Sequence, residues 1–482
     1  MTKMLGVQEE PAIYKVLASR MATERRSLRS LGRWSGGGTP SKSNPAFWSG
    51  GTIPWVSPKD MKLARISDAE DHITPEAVAR SATSLIKAGA VVLVVRSGIL
   101  QHSLPVAVTD VDVALNQDLK ALQPSAGVDA TYVAWALRAH AQAILRLCTK
   151  AGTTVQSIEM PALLDYEIPL PSAERQREVV ETVEARLSVL DASVAALHRV
   201  KANLKRYRAS VLKSACEGRL VPTEAELARQ EGRSFETGAE LLQRILAERK
   251  RAWMGKRSYV EPDPVACEER APVPDGWAWA ALDELAWHSS YGTSAKCSPT
   301  ATGAAVLRIP NVDRGNIDTT NMKYSAETLD AESTAALKAG DMLIIRTNGS
   351  KALIGRGAIV QAPFSAPTTF ASYLIRFRLV REIHQEWLGL FWQSPESRGW
   401  IEARASTSAG QHNVSMSVLA TAPVPLPPLT EQHRIVAEAD RRLSLNRVAE
   451  AQVTANLTRA QRLRQSILQA AFSGPGAAFS KT

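Results

Sequence analysis

The chain repeats one of its own segments, and that repeat limits the folds open to it. Ile168-Pro169-Leu170-Pro171, followed by Gln176, returns 256 residues later as Val424-Pro425-Leu426-Pro427, followed by Gln432. The same offset holds without a gap through Arg186/Arg442, Leu187/Leu443, Ser188/Ser444, Arg206/Arg462, Arg208/Arg464, Ser210/Ser466, Leu212/Leu468, Ala215/Ala471 and Gly218/Gly474. A chain built this way reads as two similar halves, each a globular stretch followed by one long helix.

The helical reading rests on spacing. Val183, Leu190, Leu197, Leu204 and Val211 recur every seven residues. Leu187 and Val194 fill the intermediate seam, which then turns to Lys201 and Arg208. That is the pattern of a helix packed lengthwise on another helix. Ser172 after Pro171 supplies a cap, and Gly218 followed by Pro222 a stop. From Glu174 to Ala215 such a helix runs about 63 Å at ~1.5 Å per residue. The second copy is less regular: Val436, Leu443, Val453, Leu457 and Ile467 are interrupted by Asn446 and Glu450. Polar residues on such a seam fix register at some cost in stability. Two copies separated by a domain-sized insert are expected to pair with each other.

With 482 residues, 45% of them hydrophobic and 22% charged, the chain has the makings of two or three ordinary globular domains. Its net charge of +10 favours a polyanionic partner. Basic residues gather at Arg199, Lys201, Lys205, Arg206, Arg208 and Lys213, and again at Arg249, Lys250, Arg251, Lys256 and Arg257. Cys148, Cys216, Cys267 and Cys297 lack the spacing of a zinc site or a disulfide framework. No secretory leader is visible, and the longest apolar run, Ala88 to Val95, is too short to cross a bilayer. A reduced, cytoplasmic protein without a membrane partner is expected.

Each globular half reads as mixed α/β. In the first, Gly36 to Ser41 is loop chemistry, Ile53-Pro54-Trp55-Val56 a strand, Ala90 to Val95 a buried strand ending at Arg96-Ser97-Gly98, and Tyr132 to Cys148 helical. Gly152-Thr153-Thr154 makes a polar turn. Leu220 to Pro274 is a connector, with a charged helix around Glu236 to Arg251 and a proline-stiffened run after it. Gly276-Trp277-Ala278-Trp279 opens the second half. There Ile309-Pro310-Asn311-Val312 is matched with Ile53 to Val56, and Asp341 to Arg346 with Gly89 to Arg96. The expected divisions are an arm at 1–26, a first domain at 27–172, a helix at 173–220, a linker at 221–274, a second domain at 275–427, a helix at 428–475 and a tail at 476–482.

No catalytic set emerges. Gly36 to Ser43 misses the phosphate-binding loop because Ser41 replaces the glycine before the lysine and Pro45 blocks a following helix. Asn44-Pro45-Ala46-Phe47 lacks the second proline of an amino-methyltransferase motif. Asp118-Leu119-Lys120 with Asp110 or Asp112 is a weak nuclease pattern, and the dispersed histidines include no HxxxH pair. Neither a catalytic nor a metal-ligating residue is expected. The polar loops say more. Arg96-Ser97 and Arg346-Thr347-Asn348-Gly349-Ser350-Lys351 each follow a buried apolar strand. Arginine and asparagine there can reach guanine and adenine edges, while serine, threonine and lysine hold phosphates. Occurring twice on a basic protein, they point to DNA.

Gly37-Gly38-Thr39-Pro40-Ser41, Ile53 to Val56, Gly276 to Trp279, Tyr291-Gly292-Thr293-Ser294, Arg308-Ile309-Pro310-Asn311 and Gly340-Asp341-Met342 then occur in a fixed order. They end on Val424-Pro425-Leu426-Pro427-Pro428-Leu429-Thr430-Glu431-Gln432. In these motifs the chain resembles the specificity (S) subunits of type I restriction–modification enzymes, from Leu28 to Gly474. The first proline run departs from the pattern, reading Ser172-Ala173-Glu174-Arg175-Gln176. The resemblance implies two α/β target recognition domains separated by two long antiparallel helices that form a coiled-coil-like spacer, in a pseudo-two-fold arrangement. Each domain is implied to read one half of a split, asymmetric site in double-stranded DNA. The helices are implied to set the unread gap and to dock two modification subunits, with restriction subunits completing the complex. S-adenosylmethionine, ATP and magnesium are implied in those partners, and no cofactor in this chain. Candidate DNA contacts are Thr39, Ser41, Lys42, Ser57, Lys59, Arg96 and Ser97 in the first half. In the second they are Tyr291, Ser294, Lys296, Arg308, Asn311, Arg346, Asn348 and Lys351. On the residues alone, a protein–protein scaffold and a nuclease built on Asp118 and Lys120 stay open beside the DNA-specificity reading.

Overall fold

A computed structural model describes residues 24–150, 155–254, 258–266, 271–313, 315–408 and 410–472. Most of the arm expected at 1–26, the Gly152–Thr154 turn, Lys256, Arg257, Cys267 and the tail expected at 476–482 lie outside the described residues. The chain divides into two compact units: Met1–His198 with Thr454–Thr482, and Arg199–Val453. The division falls inside two helices of 44 residues each, Ala173–Cys216 and Leu429–Phe472.

In the first unit, Val91–Val94 is buried along its whole length and sits inside a five-stranded sheet. Along the sheet the strands are Gly32–Gly36, Leu119–Pro124, Val91–Val94, Val106–Thr109 and Arg65–Ile66. A continuous run of valine and leucine suits a strand covered on both faces. A second sheet holds Asp71–Ile73, Ile53–Val56, Val113–Leu115 and Leu85–Ile86. The helix Ala130–Ala139 starts at Asp129, whose carboxylate accepts from the Tyr132 N–H at 2.8 Å. Arg25–Ser27 pairs antiparallel with Glu167–Pro169, so the described residues of the stretch expected as an arm include a strand.

The second unit repeats this plan. Its main sheet runs Ala286–Tyr291, Leu374–Leu379, Asp341–Ile345, Gly357–Ile359. Beside it lies a sheet of Cys297–Ser298, Lys323–Ser325, Ala305–Leu307 and Thr368–Phe370. Ala278–Ala281 pairs with Pro423–Leu426, as Arg25–Ser27 pairs with Glu167–Pro169. This unit also carries the connector helices Glu224–Glu231 and Gly238–Arg251, each opened by a threonine capping box. Leu241 and Ile245 of the latter join the unit's core.

Both units contain a piece of antiparallel helix pairing. In the first, Val183, Leu187 and Leu190 share a core with Ile467, Leu468 and Phe472. Arg464 pairs with Asp191, and Val179 and Val183 meet Ile467 and Ala471, which sets the opposed directions. In the second unit, Val211, Leu212 and Ala215 pack with Ile435, Val436, Ala439 and Leu443. Farther along, the buried Asn446 donates to the Leu204 carbonyl at 3.0 Å. The heptad spacing overstated the evenness of the seam. Val453 is buried, but Val194, Leu197, Leu204 and Leu457 are only half-buried. Exposed Lys201 and half-buried Arg208 hold intermediate positions that a dry seam gives to leucine.

Candidate nucleic-acid interface

The two units are fastened to their long helices in the same way. Gln176 and Gln432 are each nearly inaccessible to solvent. The Gln176 carbonyl accepts from the Asp129 N–H at 2.8 Å, and its amide donates to the Gly127 and Pro171 carbonyls. The Gln432 carbonyl accepts from the His384 N–H at 2.9 Å, and its amide donates to the Pro427 carbonyl. Asp129 and His384 are the residues before the helices Ala130–Ala139 and Gln385–Trp392. Each glutamine therefore ties a long helix to an orphan N–H at the head of a domain helix. Two aromatic residues complete the mount. Tyr132 Oη donates to the Pro169 carbonyl at 2.9 Å, and Trp387 Nε1 to the Pro425 carbonyl at 3.1 Å. Tyr132 packs against Phe472 and Trp387 against Trp277, with ring centroids 5.1 and 5.6 Å apart.

The second unit adds a clasp. Fully buried Glu431 accepts from Trp277 Nε1 at 2.9 Å and from the Glu224 N–H at 2.8 Å. Glu224 is itself buried and paired with Arg434 and Arg233, both at 2.6 Å. Burial pushes the Glu431 carboxyl up from its ordinary range. At Glu224 burial also pushes upward, but hydrogen bonds from Arg434 and Arg233 outweigh it and hold that carboxyl low.

Backbone hydrogen bonds fix which residues of the two units correspond, and they correct two of the sequence matches. Gly38 N–H donates to Leu115 O and Thr293 N–H to Phe370 O, both at 2.8 Å. Asn116 N–H donates to Val56 O, and Ala371 N–H to Leu307 O. Leu307 therefore stands where Val56 does, and Arg308-Ile309-Pro310-Asn311 occupies the place of Ser57-Pro58-Lys59-Asp60. Ile309 to Val312 does not correspond to Ile53 to Val56. The chemistry agrees: the Asp60 carboxylate accepts from the Ser57 N–H at 2.8 Å, as the Asn311 carbonyl accepts from the Arg308 N–H at 2.9 Å. The arginine match also slips by one. Gly89 and Gly340 donate alike, to Thr109 O and Val360 O at 2.8 Å. Val95 N–H donates to Asp118 O at 2.8 Å, and Arg346 N–H to Tyr373 O at 2.9 Å. Arg346 thus stands at the place of buried Val95, and Arg96 at that of Thr347. One step along a strand turns the side chain to the other face.

These placements sort the candidate contacts. Asn311 is buried, and its amide donates to Asp318 O at 2.7 Å, so it shapes a loop and offers nothing to a groove. Ser57 is likewise buried, its hydroxyl donating to Asp60 at 2.8 Å. Lys59 is held by Asp71 at 3.0 Å and Glu70 at 3.2 Å. Arg308 reaches the Asn321 carbonyl at 3.0 Å. Arg96 is ion-paired with Asp118 at 2.7 Å, and the neighbouring Ser97 hydroxyl accepts from the Ile99 N–H. Thr39 bonds Gln117, and Ser41 lies 2.9 Å from Ser43 through their hydroxyls. Lys42, Ser294, Lys296 and Lys351 are exposed. Tyr291 lies under the Arg346 guanidinium, and the Asn348 carbonyl accepts from the Ser350 N–H.

One cluster in each unit is thereby brought together at the ends of equivalent strands: Thr39, Arg96, Gln117 and Asp118, and Tyr291, Arg346, Asn348 and Tyr373. Sequence reasoning missed Gln117, Tyr373, Gln411 and His412, whose placement comes from strand pairing far along the chain.

The glycine-rich run has a packing origin. A Cβ on Gly37 would lie 2.0 Å from Asn116 O, and one on Gly292 2.2 Å from Phe370 O. These glycines let two backbones cross. The acids of the nuclease pattern are dispersed, with Asp110 paired to Arg65, Asp112 to Lys87 and Asp118 to Arg96. Among the described residues there is no group of three side chains suited to a metal ion. Nor is any described helix long and apolar enough to cross a membrane.

Comparison with known proteins agrees with this architecture. The family model described as the type I restriction modification DNA specificity domain matches residues 23–206. The chain is 42% identical over 161 residues to the type I restriction enzyme EcoR124I/EcoR124II specificity subunit of Escherichia coli, covering 33% of this chain and 40% of that one. It is 26% identical over 325 residues to the EcoKI specificity subunit of Escherichia coli strain K12, covering 67% and 61%. The matched segments thus span less than two thirds of either relative. A solved structure from work on complex assembly and conformational transition of the type I R-M system aligns over 94% of this chain and 99% of its own. Its TM-score is 0.60 at 17% identity, a likeness of fold. Residues 23–206 thus match the type I restriction modification DNA specificity domain, and the chain is similar to type I restriction enzyme specificity subunits.

Proposed function

We propose that this chain is the non-catalytic DNA-recognition subunit of a type I restriction–modification complex, and that it reads a two-part, asymmetric DNA site. The observation that carries the reading is the pair of units with one mounting and different side chains at their reading ends. Equivalent frames with unlike contacts suit two different half-sites. Phosphate contacts supply salt-dependent affinity, which the net charge of +10 favours. The paired segments of the long helices set the unread gap. They also present apolar side chains to a partner: Val189 is exposed in the first unit, and Val200, Tyr207, Leu445 and Val448 in the second. Two modification subunits dock there and bring S-adenosylmethionine, and restriction subunits bring ATP and magnesium chemistry. The chain itself holds no cofactor.

Methylome sequencing of a host carrying the full complex tests this reading. The expected result is one methylated motif made of two unlike parts and a fixed gap. Matched four-residue insertions in both long helices, about one turn each at ~3.6 residues per turn, should lengthen the gap and leave both parts legible. A continuous motif, or a gap indifferent to the insertions, contradicts the proposal.

A further inference from the structure

The corrected register gives Arg346 no counterpart in the first unit, where its place is taken by buried Val95. Its support is also without counterpart. The Arg346 guanidinium carbon lies 4.8 Å from the centre of the Tyr291 ring. Tyr291 pairs across the sheet with Ile375, as Gly36 pairs with Lys120, so the ring stands where the first unit has a glycine. Arginine and tyrosine therefore occur together in one unit and are missing together from the other.

Among the described residues no carboxylate pairs with Arg346, and its Nε is buried without a hydrogen-bond partner, which leaves recognition to the two terminal nitrogens of the guanidinium. Arg96 of the first unit, by contrast, is neutralised by Asp118 at 2.7 Å. Stacking on an aromatic face holds a guanidinium in one plane without consuming its N–H donors. The strand that follows Arg346 is paired with amide and imidazole side chains. Thr347 and Asn348 pair with Asn413 and His412, and Thr347 Oγ1 lies 3.3 Å from Gln411 Oε1. A phosphate cradle gathers several cations, whereas a planar fork beside amide and imidazole side chains, next to the edge strand of a short three-stranded sheet, suits base edges.

We propose that Arg346, positioned by Tyr291, reads the O6/N7 edge of a guanine in the half-site bound by the second unit. The inference rests on the two-part reading above. It assigns one base in one half-site, and no equivalent contact in the other.

The test uses the full complex, with methylation and binding measured on a library randomised at every position of the wild-type site. Arg346→Ala should lower discrimination at a single G·C pair roughly 10- to 100-fold. Preferences in the other half-site should not change, which also certifies that the variant is folded. Arg346→Lys keeps the charge and loses the fork, so the same position should relax while the salt dependence stays put. Tyr291→Phe should read normally, and Tyr291→Ala should weaken discrimination at that same pair. Uniform weakening across all sequences with a shallower salt slope would make Arg346 a phosphate contact and overturn the proposal. Unaltered preference at every position would overturn it equally. A wild-type complex without a two-part site would remove the underlying reading and this inference with it, a result visible before any variant is made.

Discussion

In the first unit, position 175 holds an arginine near the surface, ion-paired with Glu178 one turn along the same helix. In the second, the matching position holds Glu431, which has no accessible surface and grips the Trp277 indole and the head of a connector helix. One residue farther on, the two units agree completely, with Gln176 and Gln432 accepting from the residue ahead of a domain helix at 2.8 and 2.9 Å. The comparison shows where duplication has been kept. Side chains that fasten a domain to its helix are the same. Those that hold an element found in one unit only have diverged.

The largest effects should come from the shared mount. Trp387→Ala and Tyr132→Ala each empty a fully buried aromatic site and release a proline carbonyl. Each should cost about 3–5 kcal/mol in denaturant unfolding. Reading of the half-site bound by the altered unit should fail first. A large loss for one and a trivial loss for the other would break the equivalence drawn here.

The clasp should come next, and there the two units should differ. Glu431→Ala leaves the Trp277 and Glu224 N–H groups unanswered in a buried place, at about 2–4 kcal/mol. Arg175→Ala should stay within about 0.5 kcal/mol, as an exposed pair warrants. Matching losses would mean that the first unit has a clasp of its own. The two glutamines are a closer test of sameness. Gln176→Ala and Gln432→Ala should each cost about 1–3 kcal/mol, and a gap between them beyond that spread would sharpen where the mounts part company.

The smallest effect is in pH dependence, and the clasp's share of it belongs to the second unit. Glu431, whose carboxyl is raised, binds its proton more tightly when folded. Its ionisation therefore opposes folding above the ordinary carboxyl range, and the second unit gains stability as pH falls from neutral through that raised value. Glu224 is depressed and acts in the opposite sense. Its stabilisation is present above the ordinary range and is lost as pH falls through its lowered value. Denaturation midpoints measured against pH should rise and then fall. Glu431→Gln should flatten the rise and Glu224→Gln the fall. A monotonic profile that neither change alters would contradict the assignment.

The long helices were legible because a seven-residue spacing survives in any side chain that packs against a neighbouring rod, as Val183, Leu187 and Leu190 do. The same spacing could not show that Leu197 and Leu204 are half-covered, since a pattern records residue type and not the width of the partner. The loops after the central strands were legible as polar segments, and their register was not. Arg96 and Arg346 end similar apolar runs, yet backbone pairing sets them one residue apart. Two short motifs that both read Ile-Pro fall at different places because the loops before them differ in length. Asn311 looked like an adenine reader from its type and is a loop brace by its hydrogen bonds. Burial of an acid such as Glu431 leaves no periodic trace at all.

Asn446 carries a consequence for the register of the paired helices in the second unit. Its amide sits among buried neighbours and finds the Leu204 carbonyl on the opposite helix. Sliding one rod along the other by a fraction of a turn strands that amide, while a full turn of about 5.4 Å brings it to the next carbonyl on the same face. Slippage between the two helices is therefore ratcheted: small shifts are penalised, and whole turns are the steps by which their register can change.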